Sequence, residues 1–554
     1  MTKLSGRSAF LKLLVDEGVT HLFGNPGTTE LPLMEVVPDF PEINFVLGLQ
    51  EAVVVAMADG YARASNRLAA CSLHVAPGLG NAMGALYNAK FSGSPLIVTA
   101  GQQEQGHGLL EPLLYDPLVP IAQPMVKWAV EVTRADDLPR IVRRAAKVAL
   151  TPPTGPVFIS LPGDVLDAEA ELDFGKPTRV DARVRPSDDA LAQLAAMLLA
   201  ARNPVIVAGQ ELAIHDAFDE AAELAELLGA AVYQQPIPYC AQFPSAHPAY
   251  LGALTRNQKQ VRALLEPFDT MLCLGADLLR MSVYSPSAPL PDGMRVVHLS
   301  ERDWELGKNY PTELALCANV KETLRALLPL LRKQRSAEAA EAAARRLAGL
   351  ASRNWSAQRA QARIEVLRAA ETAPIDPRYL MLAISETLPQ NAIVVEEALT
   401  SSTALPGFLQ LRDAKGYYGL ASGGLGFGLP GAVGISLAQP KRPVVAVIGD
   451  GSAMYGVQAL WTAAHLKLPI TYVIANNRSY RILKERLVSM RGTDRFTGMD
   501  IRDPEIDFTG LAQSLGVPAE RVSDPRGIVP ALRGAVRSEG PRLIEVMVAD
   551  GFGG

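Results

Sequence analysis

Residues 444–477 read VVAVIGDGSAMYGVQALWTAAHLKLPITYVIANN. An apolar β-branched run, Val444 to Ile448, stops at Gly449-Asp450-Gly451. An amphipathic stretch follows, and a second apolar run, Ile470 to Ile474, stops at Asn476-Asn477. The switch from short apolar runs to helical spacing and back predicts a βαβ unit. Its crossover makes the two strands parallel and right-handed. Asp450 and Asn477 then share the carboxyl edge of a parallel sheet, where open α/β sheets bind ligands. A carboxylate and an amide oxygen meeting there suit Mg²⁺, a hard cation that shares its oxygen ligands with substrate phosphates. Gly449 and Gly451 leave room for a diphosphate to approach backbone N–H groups at a helix start.

Outward from this unit, the same rhythm recurs three times. From residue 1 to about 165, short apolar runs (His21–Gly24, Phe45–Leu49, Ala69–Leu73, Leu96–Ala100, Val157–Ser160) alternate with helical segments. A polar stretch from Asp167 to about Asp189 reads as a linker. Strands at Val205–Ala208, Ala231–Tyr233, Thr270–Leu274 and Val296–Leu299 mark a second α/β segment. Residues 333–372, rich in Ala, Arg and Glu, read as a solvated connecting helix. The third segment runs from about 373 to the end. Alternation of this kind argues an α/β chain of three doubly wound parallel-sheet domains.

The chain has 554 residues, 48% hydrophobic and 20% charged, which fits a globular protein of three or four domains. Its net charge of −5 excludes an electrostatic nucleic-acid partner. No apolar run is long enough for a membrane span. The start carries no signal-peptide pattern, so the expected location is cytoplasmic. Cys71, Cys240, Cys273 and Cys317 are far apart, with no C-x-x-C, and read as small buried hydrophobes. The glycine run at Gly78, Gly80 and Gly84 departs from the dinucleotide spacing and has no acidic residue about twenty positions on.

The Gly-Asp-Gly turn followed by a helix, a strand and Asn-Asn resembles the cofactor signature of thiamine diphosphate (ThDP) enzymes. Across its whole length the chain is similar to benzoylformate decarboxylases and their acetolactate synthase-like relatives. The resemblance implies a pyrimidine-binding domain at 1–170, a central Rossmann-like domain at 186–332, the connecting helix at 333–372 and a diphosphate-binding domain at 373–554. It implies ThDP and Mg²⁺ as cofactors. Asp450, Asn477 and the Ser479 carbonyl would hold the metal. Gly449, Gly451, Ser452 and Thr400 would hold the diphosphate. In Ser422-Gly-Gly-Leu-Gly-Phe-Gly-Leu-Pro430, Leu425 would wedge between the cofactor rings and the Gly423 carbonyl would accept from the aminopyrimidine.

Catalysis of this kind removes a proton from the thiazolium, with a carboxylate in an apolar cleft acting through the pyrimidine. Gln50-Glu51-Ala52, at the start of an apolar helix, makes Glu51 that carboxylate. His74, in Leu73-His-Val-Ala-Pro-Gly-Leu-Gly-Asn81, is the expected proton donor. Thr28 stands where the family pattern has a serine and keeps a hydroxyl for the substrate carboxylate. Leu113 and Leu114 match an apolar pocket wall. Three positions depart from the pattern. Ser282 takes the place of a second histidine, and Ile482 and Arg486, on one helix face, replace a small residue and an aromatic.

The resemblance thus implies a non-oxidative 2-keto acid decarboxylase giving an aldehyde, with carboligase side activity. An acetolactate synthase-like carboligase or 2-hydroxyacyl lyase is the alternative, and a catalytically silent ThDP-binding homologue another. The partners implied are a small 2-keto acid, an aldehyde and a second copy of the chain, in a homodimer or homotetramer with active sites at subunit interfaces.

Overall fold

The computed structural model describes residues 2–281, 284–368 and 370–552. Three six-stranded sheets form, every pairing within them parallel. Their inner strands are continuous apolar runs, such as Val157–Pro162 and Ile470–Asn476, buried along their whole length. Strands of that composition need cover on both faces, and a parallel sheet flanked by helices supplies it.

The first sheet runs Asn44–Leu47, His21–Gly24, Ala69–Leu73, Leu96–Gln102, Val157–Pro162, Ala129–Glu131. The third runs Tyr417–Gly419, Ile393–Glu397, Val444–Gly449, Ile470–Asn476, Arg542–Met547, Ala519–Val522. Numbered by chain order, both follow 2-1-3-4-6-5. In each, the winding direction reverses between strands 1 and 3, which opens a crevice at their carboxyl ends. The middle sheet, from Pro204–Ala208 to Leu314–Cys317, follows 3-2-1-4-5-6.

One apolar core joins the first sheet to the third, running from Phe23 and Val46 through Met57 and Val433 to Val444 and Tyr472. Helices Glu51–Ser65 and Gly428–Ala438 cross inside it. Their backbones touch because glycine lies at the crossing. A Cβ on Gly434 would stand 1.9 Å from the Met57 carbonyl oxygen, and one on Gly60 2.3 Å from that of Gly431.

The structure corrects several sequence expectations. The stretch 167–189 is not all linker, since Glu169–Leu172 forms a strand antiparallel to Thr2–Ser5. Residues 333–372 do not form one connecting helix; Ala337–Gly349 and Trp355–Leu367 are separate, divided at Asn354, whose side chain caps the second. The second strand lies at Asn44–Leu47 rather than Phe45–Leu49. Ala129–Glu131, Tyr250–Ala253 and Leu314–Cys317 are strands at sheet edges that the apolar pattern did not mark. Edge strands are half-exposed and short, so they lack the buried runs that mark their neighbours.

Candidate active site

Three loops meet at the carboxyl edge of the first sheet. Strand Asn44–Leu47 leads into helix Glu51–Ser65, whose start Gln50 caps by accepting from the Val53 N–H. Glu51 opens that helix and is only 7% exposed. Asn25, just after strand His21–Gly24, donates to Glu51 Oε1 at 3.1 Å, and Asn81 donates to Oε2 at 3.1 Å. No cation pairs with this carboxylate among the described residues. Gly78 lies against it, where a Cβ would come within 3.2 Å of Oε1.

His74 ends strand Ala69–Leu73 and precedes helix Val75–Ser92. Its Nδ1 lies 2.8 Å from Oε2 of Glu30, a buried carboxylate on the loop after the first strand. Glu30 also accepts from the N–H groups of Gly27 (2.8 Å) and Gly101 (2.9 Å) and from the Thr29 hydroxyl (2.8 Å). An ionised carboxylate only accepts, so the Nδ1–H tautomer fits and Nε2 is left for other chemistry. Val75, a β-branched residue, is held at φ 43° directly after His74. Such a conformation costs about 1–3 kcal/mol and clusters at functional sites. Thr28 is exposed, while its neighbour Thr29 comes within 3.1 Å of His74 Nδ1.

The carboxyl edge of the third sheet surrounds a cavity of about 360 Å³. Thr400, Leu425, Gly449, Asp450, Gly451, Ser452, Asn477, Ser479 and Ile482 all line it. Asp450 is buried, and burial pushes its carboxyl up to about 6, against the backbone N–H groups of Gly451, Arg478 and Ser479. Its Oδ2 has no partner. Asn477 Oδ1 accepts from the Ser479 N–H at 2.9 Å. A buried carboxylate oxygen without a partner is costly, and a cation beside Asn477 satisfies it. Among the described residues no group of three or more His, Cys, Asp or Glu is poised to hold a metal. An ion here would draw on Asp450 and Asn477 together with ligand phosphate, a donor set that suits Mg²⁺. The residues fit a metal-bound diphosphate.

Loop 422–428 flanks this cavity. Gly423 and Gly426 have φ of 88° and 109°, open to glycine and strained for other residues. Gly423 is exposed and does not line the cavity, and neither does the half-buried Arg486. Leu113 and Leu114 are exposed on the chain surface. Ser282 lies outside the described residues. The sequence reading missed Glu30, Asn25 and Asn81. Glu30 looks like an ordinary helix-start acid, and its ties to Gly101 and His74 exist only once the sheet has formed.

No helix among the described residues is long and apolar enough to cross a membrane. Three family models match the chain: the N-terminal TPP binding domain of thiamine pyrophosphate enzymes over residues 4–112, their central domain over 191–327 and their C-terminal TPP binding domain over 402–546. The benzoylformate decarboxylase of Pseudomonas aeruginosa is 36% identical over 97% of this chain and 98% of its own. The thiamine diphosphate-dependent 4-hydroxybenzoylformate decarboxylase of Rhodococcus jostii RHA1 superposes with a TM-score of 0.87 at 34% identity, covering 99% of each chain. The benzoylformate decarboxylase of Polynucleobacter necessarius gives 0.88 at 28% identity, again covering 99% of each. Similarity along the whole chain, with an unpartnered carboxylate oxygen where a metal diphosphate fits, makes this protein a member of the thiamine pyrophosphate enzyme family, an enzyme whose cofactor is thiamine diphosphate.

Proposed function

We propose that the chain is a Mg²⁺- and thiamine diphosphate-dependent 2-keto acid decarboxylase, releasing CO₂ and an aldehyde from an aryl substrate such as benzoylformate, with carboligation as a side activity. The observation that carries this reading is Glu51: one buried carboxylate, held by two amides and free of cations, beside a histidine oriented by a second carboxylate. The similarity to benzoylformate decarboxylases supports the substrate class.

When bound, thiamine diphosphate supplies a nucleophilic carbon and an electron sink for the bond to the departing carboxylate. Glu51 would exchange a proton with the pyrimidine ring; Asn25 and Asn81 fix its oxygens so that it would move one proton at one place. Asp450, Asn477 and the Ser479 carbonyl would hold Mg²⁺, and Thr400, Gly449, Gly451 and Ser452 would receive the diphosphate. Leu425, which lines the cavity, would pack against the cofactor, and the Gly423 carbonyl would accept from its aminopyrimidine. His74 presents Nε2 to the keto oxygen, donating and later recovering a proton, while Glu30 stabilises the imidazolium. Thr28 offers its hydroxyl to the substrate carboxylate. Leu113, Leu114, Ile482 and Arg486 would shape the substrate pocket, which is completed when the first domain of one chain meets the third domain of another.

Solvent-deuterium exchange at C2 of the bound cofactor tests the assignment. Glu51→Gln should slow exchange about 100-fold or more while cofactor affinity stays within a few-fold. Glu30→Gln should leave exchange intact and slow turnover. Undiminished exchange in the Glu51→Gln protein removes Glu51 from the role.

A further inference from the structure

Glu397 is a fully buried carboxylate at the carboxyl end of strand Ile393–Glu397, with no cation paired to it among the described residues. Its oxygens instead take backbone N–H groups of the glycine loop. Oε1 accepts from Gly426 at 2.6 Å, Oε2 accepts from Gly428, and the Phe427 N–H also faces the carboxylate. The loop's leading end is tied separately. Asn88, on helix Val75–Ser92, accepts through Oδ1 from the Ala421 N–H (3.0 Å) and the Ser422 N–H (3.1 Å). Asn88 is itself held by a donated bond to the buried Asp59. Leu425, the loop residue that faces the cavity, lies between these two anchors.

We infer that Glu397 is a positioning residue: its carboxylate fixes Gly426 to Gly428 and through them sets where Leu425 stands against the cofactor. The inference rests on the proposed role of loop 422–428. Two features argue for it. Gly426, at φ 109°, is in a region open to glycine alone and thus flexible when untied, so the bonds that the Gly426 and Gly428 N–H groups make to a carboxyl on a rigid strand are what give this stretch one conformation. Adjacent strand residues also face opposite ways. Glu396 accepts from the Ala398 N–H at 2.7 Å and from the Ser402 hydroxyl. The pair of acids therefore pins the Thr400 loop on one side and the Leu425 loop on the other. A merely architectural carboxylate at the start of helix Gly428–Ala438 would serve chain stability and leave cofactor binding alone.

The test compares Glu397→Gln, Glu397→Asp and Leu425→Ala for thiamine diphosphate affinity, near-ultraviolet circular dichroism of the bound cofactor, and melting temperature without cofactor. Glu397→Gln should weaken cofactor binding about tenfold or more and alter the dichroism of the bound cofactor, with the melting temperature changed by only a few degrees. Glu397→Asp, with the charge but shorter reach, should fall between. Unchanged affinity and dichroism in a folded Glu397→Gln protein, with Leu425→Ala impaired, overturns the inference. A silent Leu425→Ala instead overturns the loop's role. Should the Glu397 variants fail to fold, amide hydrogen exchange on the unaltered protein decides: slow exchange at 426–428 supports the anchor, and exchange as fast as an untied loop contradicts it.

Discussion

Burial pushes the Glu397 carboxyl up from 4.5 to about 7, against the three N–H groups that hold it and with the neighbouring Glu396 adding to the rise. Between those values the folded chain keeps a proton that the unfolded chain has released. The contribution of this group to stability is therefore fullest below pH 4.5, falls as pH rises toward 7, and levels off above. The span amounts to about 3 kcal/mol. Melting curves of the cofactor-free wild type and Glu397→Gln from pH 5 to pH 8 should show the wild type losing ground to the variant across that window. A constant gap contradicts the buried charge. Glu51 and His74 were legible from their motifs. Glu397 and Glu30 were not, since their partners (Gly426 and Gly428, Gly101 and His74) are brought to them by strand pairing and loop closure.

At the scale of elements, apolar runs marked most inner strands, though not Ile393–Glu397 or Arg542–Met547, and the βαβ unit at 444–477 formed with its strands paired in parallel from Val444 against Ile470. Among the edge strands, Asn44–Leu47 was marked, while others carried no such mark. Tyr250–Ala253 is only half buried, and Leu314–Cys317 has one buried residue. The polar segment at Glu169–Leu172 became a strand because Thr2–Ser5 pairs with it, a partner about 165 residues away that local pattern cannot announce. The crossing of helices Glu51–Ser65 and Gly428–Ala438 packs the first domain against the third within one chain, and so fixes the helix that Glu51 opens relative to the one that follows the cofactor loop. Gly434→Ala drives a methyl into the Met57 carbonyl. Overpacking of this kind should cost about 3 kcal/mol or more, read as a lower melting temperature and weaker cofactor binding. A melting temperature equal to the wild type would show that the crossing is loose.

Across the whole molecule, two sheets of the same strand order present their carboxyl edges, one bearing Glu51 and His74, the other Asp450 and Asn477. Apolar side chains stand uncovered at both. Leu109, Leu110 and Leu113 are 92%, 73% and 85% exposed on the loop after strand Leu96–Gln102, and Tyr455 is 53% exposed beside the third-sheet cavity. Exposed apolar groups concentrated in this way mark an interaction surface. Sedimentation should accordingly give a dimer or tetramer, and a monomer at micromolar concentration would contradict the interfacial site. The three-fold alternation of strands and helices could be read from the sequence, while strand order and this exposure appear only in three dimensions. The most direct test of the account is CO₂ release with thiamine diphosphate and Mg²⁺, benzoylformate against pyruvate at equal concentration. The account predicts cofactor-dependent CO₂ from benzoylformate, matched by one equivalent of aldehyde. Release from pyruvate alone, with a hydroxyketone product, would contradict it in favour of a carboligase, and no CO₂ from either acid by the cofactor-loaded protein would contradict the decarboxylase reading of this site.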